Sequence, residues 1–216
     1  MKKKAIIIGA SKDTNSDFLK KHTDEFIIAA DGGYQLCRKE NIEPDILIGD
    51  FDTLDTSLIQ HPKAVTKLNP IKDDTDTFFA VKYLLEKGYD EIHFYGCLGG
   101  KLEHTIGNIQ ILSYLLNHDA KGYLYSEDGS QVTFMIQNDS FEFKKNVKGM
   151  VSIFSYTEET DDVTIEHMKY NLSHGKLNQS FPLGVSNEFL TNKKETGKVS
   201  VGDGKLLIIA PADSVF

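Results

Sequence analysis

Ile92-His93-Phe94-Tyr95-Gly96-Cys97-Leu98-Gly99-Gly100-Lys101-Leu102-Glu103-His104-Thr105-Ile106-Gly107-Asn108 is the stretch that decides the fold. It opens as a short apolar strand over Ile92–Tyr95, turns on Gly96, Gly99 and Gly100, and continues in a helical pattern. Ile106, Ile109, Leu112 and Leu116 recur at helical spacing, which predicts a helix over Leu102–Leu116 with that set on its buried face. A strand, a glycine turn and a helix in this order make one unit of a parallel sheet covered by helices. The carboxyl ends of such strands share one edge, where ligands of open α/β sheets bind.

The same alternation runs outward from this stretch. Lys4–Ile8 and Glu25–Ala30 are isoleucine-rich runs expected of strands buried on both faces. Gly33–Asn41 reads as a helix and Pro44–Ile48 as a strand. Thr75–Lys87 is an amphipathic helix with Phe78, Val81, Leu84 and Leu85 on one stripe and Gly88 placed to end it. Tyr123–Tyr125 closes the series.

Near Glu127–Gly129 the pattern changes. Gln131–Ile136, Ser140–Lys145, Met150–Thr157, Val163–Met168, Lys198–Val201 and Lys205–Ile209 are short and rich in strand-forming residues. Val201-Gly202-Asp203-Gly204-Lys205 reads as a hairpin turn, and no helix is expected after residue 120. The prediction is an α/β protein. An N-terminal open parallel-sheet, Rossmann-like domain over 1–128 precedes a small C-terminal antiparallel β-sandwich over 129–216, with the boundary near 126–131.

The 216 residues suffice for real cores, and 40% hydrophobic with 26% charged residues is ordinary for a globular protein. The net charge of −8 leaves no basic surplus to displace counterions, which argues against nucleic acid as a partner. Cys37 and Cys97 form neither a disulfide framework nor a metal pattern, so free thiols are expected. The Ala5–Ile8 stretch is too short for a signal peptide or a membrane span, and the cytoplasm is the expected compartment.

Acidic and glycine-rich blocks gather at the predicted strand ends. Asp50 and Asp52 follow Ile46-Leu47-Ile48-Gly49, and Gly49 permits the turn that aims both carboxylates one way. Asp73, Asp74 and Asp76 crowd the start of the Thr75–Lys87 helix, where one carboxylate is explained by capping and three are better explained by a nearby cation. Gly96–Lys101 resembles a phosphate loop but fails the P-loop pattern, with three residues instead of four before Gly100-Lys101 and Leu102 in place of Ser/Thr. Its glycine turn still opens a helix whose free N–H groups would face an anion. Lys101 adds a point charge, and His104 and Asn108 sit one turn apart. Asp31-Gly32-Gly33 either contacts a nucleotide or simply makes a turn. Carboxylates beside glycine turns and a Lys/His pair suit a magnesium-bound polyphosphate. In the phosphate-like loop, Cys97 reads as a packing residue.

In order, Asp31–Gly33, Pro44 to Thr53, Asp73 to Asp76, Gly99 to Asn108 and Gly184-Val185-Ser186-Asn187 resemble the thiamin pyrophosphokinase family. That family carries DGG, PDxxxGDFDS, DxTD, GGRxDHxxxN and GxSN. Thr53 replaces the family's serine, Lys101 its arginine and Glu103 its aspartate. Lysine lacks the bidentate fork that arginine offers to phosphate. The resemblance implies transfer of the pyrophosphoryl group of ATP to the hydroxyl of thiamine, giving thiamine diphosphate and AMP. It implies Asp50, Asp52, Asp73 and Asp76 as magnesium ligands and Lys101 and His104 as groups facing the phosphates. Asp31, Gly32, Gly99, Gly100 and Asn108 would complete the nucleotide site, and Ser186 and Asn187 would bind thiamine. A homodimer with thiamine near the subunit interface is also implied.

Two readings compete. A haloacid-dehalogenase-like phosphatase is suggested by Asp50-Phe51-Asp52, but that superfamily places its threonine one residue later than Thr53. A binding protein without turnover would have no need of so many carboxylates.

Overall fold

The computed structural model describes residues 2–11, 14, 24–49, 64–67, 74–190 and 195–216. The chain divides into two compact units, Met1–Gly129 and Ser130–Phe216.

In the first unit the strands are β1 (Lys4–Ile8), β2 (Phe26–Ala30), β3 (Ile46–Gly49), β4 (Ala64–Lys67), β5 (Glu91–Tyr95) and β6 (Lys121–Tyr125). The helices are α1 (Gly33–Lys39), α2 (Asp76–Glu86) and α3 (Leu102–Leu116). The strands run in the order β6-β5-β1-β2-β3-β4, and every pairing among them is parallel. Within β1, β3 and β5 nearly every residue is buried, as continuous apolar runs between two covered faces require. From β1 the chain steps outward to β4, then returns to β5 on the other side of β1. The switch point therefore lies between the carboxyl ends of β1 and β5.

Local chemistry sets the helix ends. Thr75 caps α2, its side chain accepting from Phe78 N at 3.1 Å. Gly88 takes φ +76° just past the end, and Tyr89 N donates to Leu84 O at 3.0 Å, as a left-handed C-terminal cap requires. The stripe predicted on α3 is rotated. Ile106 is 51% exposed, and Asn108, Ile111, Leu112 and Leu115 face inward. Gly122 on β6 makes the difference: a Cβ there would stand 2.6–2.7 Å from Leu115 and Leu112, so the helix seats where β6 has no side chain.

The opposite face of β5 and β6 holds a polar chain. His93 is buried, with Nε2 3.1 Å from Glu91 Oε1 and Nδ1 3.0 Å from the Tyr125 hydroxyl. Lys4 reaches Glu91 at 2.8 Å. Hydrogen bonding to His93, opposed by burial and aided by Lys4, lowers the Glu91 carboxyl to about 2.

The second unit is antiparallel. Its strands are β7 (Gln131–Gln137), β8 (Ser140–Glu142), β9 (Met150–Ser155), β10 (Glu159–Glu166), β11 (Leu172–Asn178), β12 (Asn187–Glu188), β13 (Lys198–Ser200) and β14 (Lys205–Pro211). Neighbours run β12-β9-β14-β7 in one group and β11-β10-β13-β8 in the other. Phe134 of β7 meets Phe141 of β8 at a 4.7 Å centroid distance; Phe141 meets Phe143, and Phe143 meets Phe189.

The predicted hairpin at Val201–Lys205 is not one. Chain neighbours β13 and β14 pair with different partners, β13 with β8 and β10 and β14 with β7 and β9. The turn itself bonds across to β10, with Asp161 N donating to Asp203 O at 3.0 Å and Gly202 N to Asp161 O at 3.1 Å. Sequence patterning also passes over β4, β11 and β12. The first two lie at sheet edges, the exposed β11 lacks apolar alternation, and β12 is two residues long. After residue 120 the described helix is a single 3-10 turn, Ala212–Ser214. No described helix is long and apolar enough to cross a membrane.

Because the folded Glu91 carboxyl lies below its ordinary value of 4.5, the stability it contributes is full above that pH and is lost as pH falls toward 2. Glu91→Ala is expected to cost about 3 kcal/mol at pH 7, since it leaves the buried His93 without its carboxylate. Urea unfolding at pH 7 and pH 3 checks this: the gap between wild type and variant should narrow at the lower pH.

Candidate active site

The carboxyl edge of the parallel sheet is built from glycine turns that press on one another. A Cβ on Gly9, after β1, would stand 2.6 Å from Gly96 O and 2.7 Å from Cys97 Sγ. Gly9 N donates to Tyr95 O at 2.7 Å and Ser11 N to Gly96 O at 3.0 Å, which ties the turn after β1 to the turn after β5. A Cβ on Gly33 would stand 2.0 Å from Ile8 O, and one on Gly32 2.9 Å from the Ala10 Cβ. The Asp31-Gly32-Gly33 block thus lets α1 start against the end of β1. Asp31 itself takes φ +45°, and its N–H donates to Ile48 O at 2.7 Å. A non-glycine residue held in this region marks a position the surrounding structure determines.

After β5 the turn is left-handed at Gly96 (φ +64°), Gly99 (φ +84°) and Gly100 (φ +66°). Asn108, buried one turn beyond His104, donates from Nδ2 to Cys97 O at 2.6 Å. Thr105 Oγ1 donates to Gly99 O at 3.3 Å. Helix α3 therefore holds its own leading loop by two side-chain bonds. Lys101, Glu103 and His104 are exposed at its start. Cys97 is buried, and burial pushes its thiol up to about 12, which fits packing and not nucleophilic attack.

Asp76 lies half-buried in the first turn of α2, and α2, which follows β4 in a parallel sheet, starts at this same edge. The carboxylate of Asp74 is ion-paired with Lys82. Asp50, Asp52, Thr53 and Asp73 lie outside the described residues. Among the described residues no group of three or more His, Cys, Asp or Glu side chains is placed to hold a metal ion. Glu127, in the turn after β6, also stands at this edge and accepts from Ser11 Oγ at 2.6 Å. Sequence reading passed over it, because it lies in no recognisable block; its position after a predicted strand was the available signal.

In the second unit, a Cβ on Gly184 would stand 2.1 Å from Ile153 O. Ser186 takes φ +58°, and its N–H donates to Ser152 Oγ at 3.1 Å. Asn187 is buried and clamps backbone: Oδ1 accepts from Tyr170 N at 3.0 Å and Glu188 N at 2.9 Å, and Nδ2 donates to Tyr170 O at 2.7 Å.

Comparison with known proteins covers most of the chain. Residues 19–124 match the family model for the thiamin pyrophosphokinase catalytic domain, and residues 140–206 match the model for its vitamin B1 binding domain. The chain belongs to the thiamin pyrophosphokinase family. A family relative, the thiamine pyrophosphokinase of Bacillus subtilis (strain 168), is 28% identical over 222 residues, spanning 99% of this chain and all of that protein. A crystal structure of thiamine pyrophosphokinase from Bacillus subtilis superposes with a TM-score of 0.83 at 26% identity, covering 97% of this chain and 99% of that one. A thiamin pyrophosphokinase from Geobacillus thermodenitrificans superposes with a TM-score of 0.82 at 22% identity, covering 98% of each chain, and speaks to the fold alone. The two family domains fall on either side of the division between the units.

Asn108→Ala removes the donor to Cys97 O and leaves that buried carbonyl unpaired. It is expected to cost about 1–3 kcal/mol and to speed amide hydrogen exchange across Gly96–Lys101, both read by mass spectrometry with and without urea. In wild type, Cys97 should resist iodoacetamide at pH 8 until the chain unfolds.

Proposed function

We propose that this chain is a thiamine pyrophosphokinase, transferring the pyrophosphoryl group of ATP to the hydroxyl of thiamine to give thiamine diphosphate and AMP. The single observation that carries this reading is the glycine turn at the switch point, Gly96–Lys101. It runs directly into α3 with Gly99, Gly100, Lys101 and His104 exposed, in a chain matched by both domains of the family.

In this reading the first unit is the Rossmann-like catalytic domain. N–H groups of Gly99 and Gly100 and the Lys101 amine face the triphosphate, as a helix start and a cation favour anions. His104 stands in the first turn of α3 and is the second side chain assigned to face the phosphates. Asp31 and Gly32 border the nucleotide. Asn108 acts through the backbone of Cys97, as its hydrogen bond indicates. Carboxylate oxygens at Asp50, Asp52, Asp73 and Asp76 are the hard donors that magnesium prefers, so the donor set fits that ion. Bound there, magnesium would neutralise charge on the triphosphate. Asp74, at the same helix start, is ion-paired with Lys82 and is not assigned to this role. The remaining contribution is alignment of the thiamine hydroxyl with the β-phosphorus.

The second unit is the β-sandwich that binds thiamine through the turn at Ser186 and Asn187. Phe181, Leu183 and Val185 are exposed beside that turn, as are Met150 and Tyr170. An apolar patch of this kind suits a homodimer contact. Thiamine is a cation, and an acidic chain attracts it. The cytoplasm is the proposed site of action.

Purified protein incubated with thiamine, ATP and magnesium should release AMP and thiamine diphosphate in equal amounts, resolved by chromatography. ADP would mean transfer of a single phosphoryl group, and phosphate alone would mean hydrolysis. Asp76→Ala is expected to lower kcat by about 100-fold or more with its circular dichroism spectrum unchanged. Normal turnover in that variant would remove Asp76 from the site.

A further inference from the structure

Three turns at the carboxyl edge meet at one side chain, and the roles assigned above leave it unused. Glu127 Oε1 accepts from Ser11 Oγ at 2.6 Å, joining the turn after β6 to the turn after β1. The same oxygen stands 2.0 Å from where a Cβ on Gly99 would be, with Cδ at 2.5 Å and Cγ at 3.1 Å. The Glu127 side chain therefore lies along the Cα of Gly99, in the turn after β5. On its carbonyl side Gly99 is bonded by Thr105 Oγ1 at 3.3 Å. Gly99 and Gly100 are consecutive residues with positive φ, the kind of pair with the most backbone freedom to lose on binding.

From this geometry we infer that Glu127 is a positioning residue for the nucleotide. It braces Gly99 from one side while Thr105 holds it from the other, and Ser11 fixes the Glu127 side chain in place. The brace sets where the N–H groups of Gly99 and Gly100 and the Lys101 amine present themselves to phosphate. This rests on the reading of Gly96–Lys101 as the triphosphate site. A carboxylate close to bound phosphate gains nothing from its charge. The brace works through shape and through the acceptor for Ser11, and glutamine supplies both. The preordered loop spares the bound nucleotide the cost of fixing it.

The test is calorimetric titration of MgATP into the full chain without thiamine, with steady-state KM values for ATP and thiamine alongside. Glu127→Ala should weaken MgATP about tenfold and raise KM for ATP in step, with KM for thiamine unchanged. Glu127→Gln should stay within about threefold of wild type, and Ser11→Ala should fall between. The Ser11→Ala/Glu127→Ala double variant should bind like Glu127→Ala alone, because both changes remove one brace. Wild-type affinity in Glu127→Ala, an equal loss in the glutamine variant, or a matching rise in KM for thiamine would overturn the inference. If Glu127→Ala does not fold, Ser11→Ala decides, by weakened MgATP binding at an unchanged melting temperature or by wild-type binding. A wild type that binds MgATP and forms no AMP would sink the pyrophosphokinase reading, and the binding series would still judge Glu127.

Discussion

The rest of the first unit depends on the close approach of two backbones at the end of β1. Gly9 meets Gly96 with no room for a Cβ on either residue, and Gly33 lies on the carbonyl of Ile8. These contacts bring the turns after β1, β2 and β5 together within one small region of the edge. Any side chain at Gly33 would collide with backbone, which cannot swing aside as a side chain can. The Gly96–Lys101 loop inherits its position from this packing. Its own glycines then supply the left-handed turns that open α3.

Much of this was legible in the sequence. Continuous isoleucine runs at β1 and β2, the helical period of α2 with Thr75 and Gly88 at its ends, and the strand–turn–helix stretch through Gly96 each carry a local signal that tertiary packing did not override. The face of α3 was misread. Its apolar spacing admits two registers, and the choice was made by Gly122, a residue on another element. Edge strands were lost for a related reason: β11 buries too little to show a period, and β4 is only four residues long. The Val201–Lys205 turn carries good turn residues, but whether two strands pair with each other or part is decided by the strands beside them.

At the candidate site, motif spacing names residues without showing what each side chain bonds. Asn108 and Asn187 both read as ligand contacts, and both spend their amides on backbone, Asn108 on Cys97 O and Asn187 on Tyr170 and Glu188. An amide offers a donor and an acceptor in fixed geometry and so suits clamping a loop. Motif spacing does not distinguish such a clamp from a ligand contact. Glu127 belongs to no motif at all. Its partners Ser11 and Gly99 are distant in sequence, and only the fold brings them to it.

The place of β14 has a consequence for how the chain acquires its structure. It lies between β7 and β9, pairs with both, and spans Lys205–Pro211 near the end of the chain. During synthesis β7 and β9 therefore wait for a partner that follows both of them in the chain. Such non-local pairing is slow and leaves strands prone to aggregation until it completes. The parallel sheet faces a wait of the same kind, because β1 and β5 pair across the whole of β2 to α2. The second unit is thus closed only when β14 has joined both β7 and β9.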